Sequence, residues 1–316
     1  MRIGIIGTGR IAKRFISECS FVPELDVSAV YNPHAGSAER FAVSVNINAQ
    51  PLSDIRELWK TVDSVYIASP HETHFDYIMS ALREGKHVLC EKPMTLNPRE
   101  TIIAFDSAKE KKLVLMEGLK TAYCPGYLEF LKVANSGIIG ELCYVDACFT
   151  KLEDPGRREL TDPEYGGSFT ELGSYVMLPA ADLLGTEYKQ TDFDSIRGEN
   201  GLDLFTRLNL SFQKGMSTLL CGLGVKSEGR LMVSGTKGYM IAEAPWWKTR
   251  HFEIHFEDPD KTLFYDEPFE GDGLRYEIAE FMRRIGSGEE FPPESEMRRS
   301  VFFAEMMERS QKNRIA

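Results

Sequence analysis

Residues 2–12 read RIGIIGTGRIA, a short β-branched run that ends in Gly7-Thr8-Gly9-Arg10-Ile11-Ala12. A strand running into GxGxxG/A and then into a helix constrains folding severely, because that order belongs to a βαβ unit with parallel strands. Gly7 permits the tight turn, Gly9 lets the backbone approach a pyrophosphate, and Ala12 allows the helix to lie close on the sheet. Unpaired N–H groups at the helix start then face the anion. Ile11, Phe15 and Ile16 are spaced for one helix face, which supplies the context the motif requires. Gly7, Thr8, Gly9, Arg10 and Ile11 are therefore the expected cofactor contacts of this loop.

A second strand, 27–31, ends in Asn32-Pro33-His34, about 20 residues beyond the glycines, where the adenosine ribose of a dinucleotide lies. An acidic residue there binds the ribose 2′-hydroxyl and repels a 2′-phosphate. Asn32 is neutral, and His34 or Arg40 is available to a phosphate. NAD or NADP is expected, with a slight lean to NADP.

Further along, a strand over 64–68 leads into Ser69-Pro70-His71-Glu72-Thr73-His74, and a helix over 75–84 stops at Gly85. The next segment, GKHVLCEKPMT (85–95), switches from the apolar strand 87–90 to Glu91-Lys92-Pro93. Ligands of open α/β sheets bind at such carboxyl edges, so Ser69, Pro70, His74, Glu91, Lys92 and Pro93 are placed at the cofactor cleft. His71 and His74 lack the i,i+4 spacing of helical metal ligands, and His251 and His255 have no evident third ligand. No metal is expected.

The GTGRIA loop, SPHETH, GKHVLCEKP, residues 117–142, GGSFTELGSY (166–175) and SGTKG (234–238) together resemble the Gfo/Idh/MocA family of glucose-fructose oxidoreductase, inositol dehydrogenase and rhizopine-catabolism proteins. The resemblance spans nearly the whole chain. It implies an α/β protein: a Rossmann domain with a doubly wound parallel sheet at 1–118, then an α/β domain with a large, mainly antiparallel sheet at 119–316 for substrate binding and oligomerisation. It also implies a cis Lys92-Pro93 bond and an NAD(P)-dependent dehydrogenase acting on a CH–OH group of a sugar, polyol or cyclic diol.

Most relatives carry histidine as acid/base in an Asp-x-Gly-x-x-x-His or Asp-x-Gly-x-His pattern; the matching positions here are Glu171 and Tyr175, at the shorter spacing. The glucose-fructose oxidoreductase and dihydrodiol dehydrogenase branches are similar in using tyrosine. A free phenol titrates near pH 10, too high for an efficient base at neutrality, so a neighbouring cation is needed. Lys92 is that cation, which makes Lys92 and Tyr175 the expected catalytic pair. Lys92, Lys120, Tyr123, Glu171 and Tyr175 are the expected substrate contacts. Gly173 would let a nicotinamide ring approach that helix face. Ser168 and Glu171 also fit an SxxE capping box, so Glu171 either caps its helix or contacts substrate. Tyr165, Trp246 and Trp247 fall where relatives build the pocket or its rim; the tryptophans read equally as core or interface. Arg157 and Arg158 are either an anion clamp or solvated loop charges.

Of the formal charge of −11, little belongs to residues 1–118, which hold 14 basic and 15 acidic side chains. No basic face suggests nucleic acid, and no apolar run approaches the roughly 18 residues that span a bilayer. The first strand begins at once, leaving no room for a signal peptide, and the six cysteines are scattered without CxxC spacing, which suits the cytoplasm. Strands are expected over 113–116, 142–150, 202–212, 216–225, 229–234 and 251–256, and helices over 124–136, 274–286 and 296–311. An open antiparallel sheet would bury a face against a second copy, giving a homodimer or dimer-based tetramer. Two other readings remain open: a glycosidase using NAD for transient redox, and a non-enzymatic nucleotide-sensing regulator.

Overall fold

A computed structural model describes residues 1–288 and 293–315. The chain divides into two compact units, Met1–Lys120 with Gly271–Ala304, and Thr121–Glu270 with Glu305–Ala316. The expectation that everything from 119 onward forms the second domain is corrected by this return. Apolar Leu274, Ile278 and Phe281, at helical spacing, are buried. They belong to a helix that packs on the first helix of the chain.

The first unit alternates strand and helix: β1 (Arg2–Ile6), α1 (Arg10–Cys19), β2 (Asp26–Tyr31), α2 (Ser37–Ser44), β3 (Gln50–Leu52), α3 (Ile55–Thr61), β4 (Ser64–Ile67), α4 (His74–Arg83), β5 (His87–Glu91), α5 (Pro98–Lys111) and β6 (Leu115–Gly118). All six strands pair in parallel in the order β3-β2-β1-β4-β5-β6. That order reverses direction between β1 and β4, and the crevice at such a reversal is where dinucleotides bind. The strands are near-continuous apolar runs because helices cover both faces. Ile6, Ile67, Val88, Cys90 and Leu115 pack with residues of α3, α4 and α5. On α1, Phe15 stacks on Tyr66 of β4 with centroids 3.7 Å apart. Helix starts follow local chemistry: Asp54 and Asn97 cap α3 and α5 by accepting from the N–H groups of Arg56 and Arg99.

The second unit holds α6 (Pro125–Asn135), β7 (Leu142–Thr150), α7 (Arg158–Thr161), α8 (Ser168–Leu184), β8 (Tyr188–Arg197), β9 (Asp203–Phe212), β10 (Met216–Gly222), β11 (Leu231–Gly235), β12 (Gly238–Ala242), β13 (His251–Phe256) and β14 (Leu263–Asp266). Its eight strands form one sheet in the order β14-β13-β12-β11-β7-β10-β9-β8. All neighbours are antiparallel except β7 and β10. Helix α8 packs on β7, β9 and β10. Two helices close the chain: α9 (Leu274–Ser287) lies in the first unit, and α10 (Glu294–Ile315) passes from the first unit to the second at Ala304.

Three strands of this sheet, β8, β12 and β14, were not among the expected ones. In β8 the apolar Phe193 and Ile196 are three apart rather than two, and most of this edge strand is open to solvent. Its ladder with β9, not its own pattern, makes it a strand.

Candidate active site

The glycine loop separates into two requirements. Gly7 has φ +109°, and a Cβ built on it would sit 2.5 Å from the Ala68 carbonyl oxygen at the end of β4. Only glycine fits there. Gly9 has an ordinary extended backbone (φ −83°), and a Cβ on it would meet no protein atom within 4 Å. Neither backbone nor packing asks for glycine at Gly9, whereas a ligand lying against the bare backbone does. Gly9 is the N-cap of α1 and makes no side-chain cap hydrogen bond. Arg10 and Ile11 open the helix, and Ala12 is fully buried against the sheet.

Beside this loop, Asn32 Nδ2 donates to Thr8 Oγ1 at 2.9 Å, while its Oδ1 accepts from the His34 N–H at 2.9 Å. Asn32 thus ties the glycine loop to the turn after β2. Past exposed His34, Arg40 Nη2 donates to Ser37 Oγ at 3.0 Å across the first turn of α2. Glu39 is the acidic group in that turn.

Between the ends of β4 and β5 stands His74, fully buried at the start of α4. Its Nε2 lies 2.9 Å from the Ser69 carbonyl oxygen and its Nδ1 3.0 Å from that of Pro93. Thr73 Oγ1 donates to Ser69 Oγ at 2.7 Å in the same turn. Burial pushes the His74 pKa down, opposed by the Ser69 and Pro93 carbonyls. The expectation that His74 contacts the cofactor is corrected: with no exposed atom, it holds the Ser69-Pro70 and Lys92-Pro93 loops in place. Pro93 is itself buried, and the Lys92-Pro93 bond is cis.

Glu91 closes β5 almost completely buried, and Tyr66 donates to its Oε1 at 2.5 Å. Burial raises its pKa, opposed by the charges of Lys92 and Lys120 and by the Tyr66 hydrogen bond. The Glu91 side chain therefore faces Tyr66 inside the unit while half-buried Lys92 follows it. Glu117, on β6, accepts from the Met94 N–H at 2.9 Å and from Ser300 Oγ at 2.5 Å, fastening α10 to the loop after Lys92. Lys120 donates to the Asp272 carbonyl at 2.5 Å, and Tyr123 lies half-buried at the end of the same 3-10 turn.

In the second unit, Glu171 and Tyr175 are half-buried and one turn apart on α8. The capping-box expectation is corrected. Gly167 is the N-cap, and Ser168 is instead buried, donating to the Asp203 carbonyl at 2.8 Å and accepting from the Leu223 N–H at 2.9 Å. Gly173 also has a structural reason, since a Cβ there would come within 3.2 Å of the Phe169 ring and 3.0 Å of Met307. Tyr175 meets Phe149 edge to face at 5.1 Å, and Phe149 stacks on Trp247 at 3.6 Å. Trp246 is core, its indole N–H donating to the Cys148 carbonyl at 2.9 Å. Half-buried Tyr165 precedes α8, Arg158 is paired with Asp162 at 2.8 Å, and Arg157 is exposed. Among the described residues, no group of His, Cys, Asp and Glu is arranged to hold a metal.

The first unit thus gathers Gly7, Thr8, Gly9, Asn32, Ser69, Glu91, Lys92 and Pro93 around one sheet edge, while Glu171 and Tyr175 belong to the second. Asn32 with Thr8, Tyr66 with Glu91, and Phe149 with Trp247 escaped the sequence reading, because each joins positions far apart in the chain.

Comparisons with known proteins agree with this geometry. Residues 1–119 match the family model described as an oxidoreductase family with an NAD-binding Rossmann fold. The chain is 27% identical over 321 residues to the NADP-dependent scyllo-inositol 2-dehydrogenase IolU of Bacillus subtilis, covering 99% of this chain and 96% of that one. It is 30% identical over 225 residues to dTDP-3,4-didehydro-2,6-dideoxy-α-D-glucose 3-reductase of Actinomadura kijaniata, covering 67% of each. A solved structure of the 3-ketoreductase KijD10 from the same organism, with TDP-benzene and NADP, superposes with a TM-score of 0.80 at 25% identity, covering 96% of this chain and 94% of that one. With the glycine loop, the strand order and the EKP edge in place, the chain belongs to the Gfo/Idh/MocA family of NAD(P)-dependent oxidoreductases.

Proposed function

We propose that the protein transfers a hydride between NADP(H) and a secondary alcohol or ketone carried on a ring, as in an inositol, a pyranose or a cyclic diol. The observation that carries the reading is the glycine loop at the β1/β4 reversal, with open space beside Gly9 where the pyrophosphate is proposed to lie. When bound, the nicotinamide supplies or accepts the hydride. The chain's own task is the proton: Tyr175 takes it from the substrate hydroxyl in oxidation and returns it in reduction, and the ammonium of Lys92 favours the phenolate and the developing alkoxide. Phe149 and Trp247 stiffen the Tyr175 ring and offer an aromatic wall to the apolar face of a ring substrate. Glu171, one turn before the phenol, is the proposed hydroxyl acceptor, with Lys120 and Tyr123 as further substrate contacts.

The preference for NADP rests on Arg40, Ser37 and the absence of a carboxylate at Asn32. Arg40→Ala is expected to weaken NADPH binding by about 10- to 100-fold, the usual scale for one charge-assisted hydrogen bond, and to leave NADH affinity unchanged. Titration of cofactor fluorescence reads both, and equal losses for the two cofactors would remove Arg40 from the discrimination. The reaction is tested by following cofactor reduction with inositols, sugars and cyclic diols, with NAD and NADP in parallel. Cofactor that copurifies and is never net reduced while glycosides are cleaved would turn the assignment to transient redox.

Among the described residues, no helix is long and apolar enough to cross a membrane. Exposed Ile196, Met216, Tyr239 and Phe264 come from β8, β10, β12 and β14 of the wide sheet. A second copy covering that surface is part of the proposal, as a dimer or a dimer-based tetramer. Light scattering at micromolar concentration should give at least twice the 35.7 kDa of the chain; a monomer contradicts it. The free cysteines suit a reducing, cytoplasmic setting.

A further inference from the structure

Glu277 sits in the first turn of α9, only 1% exposed, and its Oε2 has no hydrogen-bond partner. A carboxylate in that position lacks what normally makes buried charge tolerable. The charged groups that act on it come from three sides of the first unit. Glu91 lies at the end of β5, already occupied by the Tyr66 hydroxyl and followed by Lys92. Glu18 lies on α1 and is held by Arg275 at 2.9 Å. Lys120 follows β6, its ammonium donating to the Asp272 carbonyl. One lysine thus faces Glu277 against two carboxylates, one of which already has an arginine.

We propose that Glu277 is carried as a neutral carboxylic acid and acts as a positioning residue, keeping a second negative charge away from Glu91 at the sheet edge where the polyanionic cofactor binds. Burial pushes its carboxyl well above the usual carboxylate range, helped by the charges of Glu91 and Glu18 and opposed by Lys120. A protonated Glu277 leaves Lys120 to balance Glu91. Ionised, it would add an unpaired charge beside Glu91 and oppose the pyrophosphate. The sign of the linkage is definite. The unfolded chain loses this proton near pH 4.3 while the folded chain keeps it, so the native state binds more protons and stability falls as pH rises toward the folded pKa.

Glu277→Gln, a neutral isostere, has no proton to lose. Its melting temperature, measured without cofactor, is expected to equal that of the parent near pH 4.5. It should rise above the parent by about 3 °C or more at pH 8, the scale of a 1 kcal/mol change in a chain of this size. A variant destabilised at every pH, or one with the parent's pH slope, would overturn the neutral acid. Glu277→Met, which also lacks the proton, should show the same flattened slope if Gln folds poorly. The second arm concerns the cofactor. Parent and Glu277→Gln should bind NADPH alike while the side chain at 277 is neutral in both, and the parent should weaken several-fold more than the variant as pH is raised past the point where the melting difference stops growing. Parallel affinities across that range overturn the link to the cofactor edge. The melting arm does not depend on the oxidoreductase reading, so a silent cofactor assay with a pH-dependent melting difference would point to that reading and not to Glu277.

Discussion

Replacing Tyr175 with phenylalanine is expected to lower kcat by about 10²- to 10⁴-fold, the span usually lost with a positioned general acid or base, while NADPH binding is unchanged. The ring survives the substitution, so its edge contact with Phe149 at 5.1 Å should keep α8 in place and confine the loss to the phenolic proton. Lys92→Met is expected to fall in the same way with an added signature. If the ammonium makes the phenol acidic enough to serve near neutrality, its removal should move the rising limb of the oxidation pH profile upward by about one to three pH units, toward the free phenol near 10. Single-turnover and steady-state kinetics across pH 6–10 read both effects. Unimpaired turnover in either variant takes that residue out of the mechanism, and an unshifted limb in Lys92→Met assigns the lysine to binding alone.

Substitutions at the two loop glycines should give opposite outcomes although the residues are one position apart. Gly9→Val is expected to melt like the parent, since its backbone is ordinary and an added Cβ meets no protein atom within 4 Å, yet to lose nearly all affinity for NADPH. Gly7→Val is expected to lose both. A branched side chain at φ +109° is strained, and the Ala68 carbonyl 2.5 Å away is backbone that cannot step aside; about 3 kcal/mol or more of stability is at risk. Calorimetry with cofactor titration separates the two cases. If Gly9→Val binds NADPH normally, the space beside Gly9 is not where the pyrophosphate lies.

How much of this was legible in the chain depends on how local the physics was. The Rossmann half is written in short-range patterns, such as the strand before Gly7 and the charged break after Cys90, and all its parallel strands except the three-residue edge strand β3 follow from them. The wide sheet is written across the chain. Strand β8 is recognisable only through its ladder with β9, and the parallel β7–β10 pair joins residues some seventy positions apart. The site shows the same division. Lys92 and the glycines announce themselves by type and place, whereas Ser168 satisfies a capping pattern on paper and spends its hydroxyl on Asp203 and Leu223 instead. His74 looked like a ligand contact because of its neighbours, and burial made it a brace. Glu277 carried no signal at all, since a glutamate in the first turn of an amphipathic helix is ordinary until three other elements close around it.

The departure of the chain from its first unit at Lys120 and its return at Gly271 has a consequence for synthesis. Arg275 grips Glu18 and Ser300 meets Glu117, so the first unit lacks these contacts until Arg275 and Ser300 have left the ribosome. N-terminal domains generally fold first as the chain emerges, but this one must wait, and the sheet unit likewise waits for Glu305–Ala316. A nascent chain arrested near residue 250 should therefore expose an unfinished nucleotide-binding half to proteases and chaperones, and cutting the gene at residue 120 should yield a fragment that is insoluble.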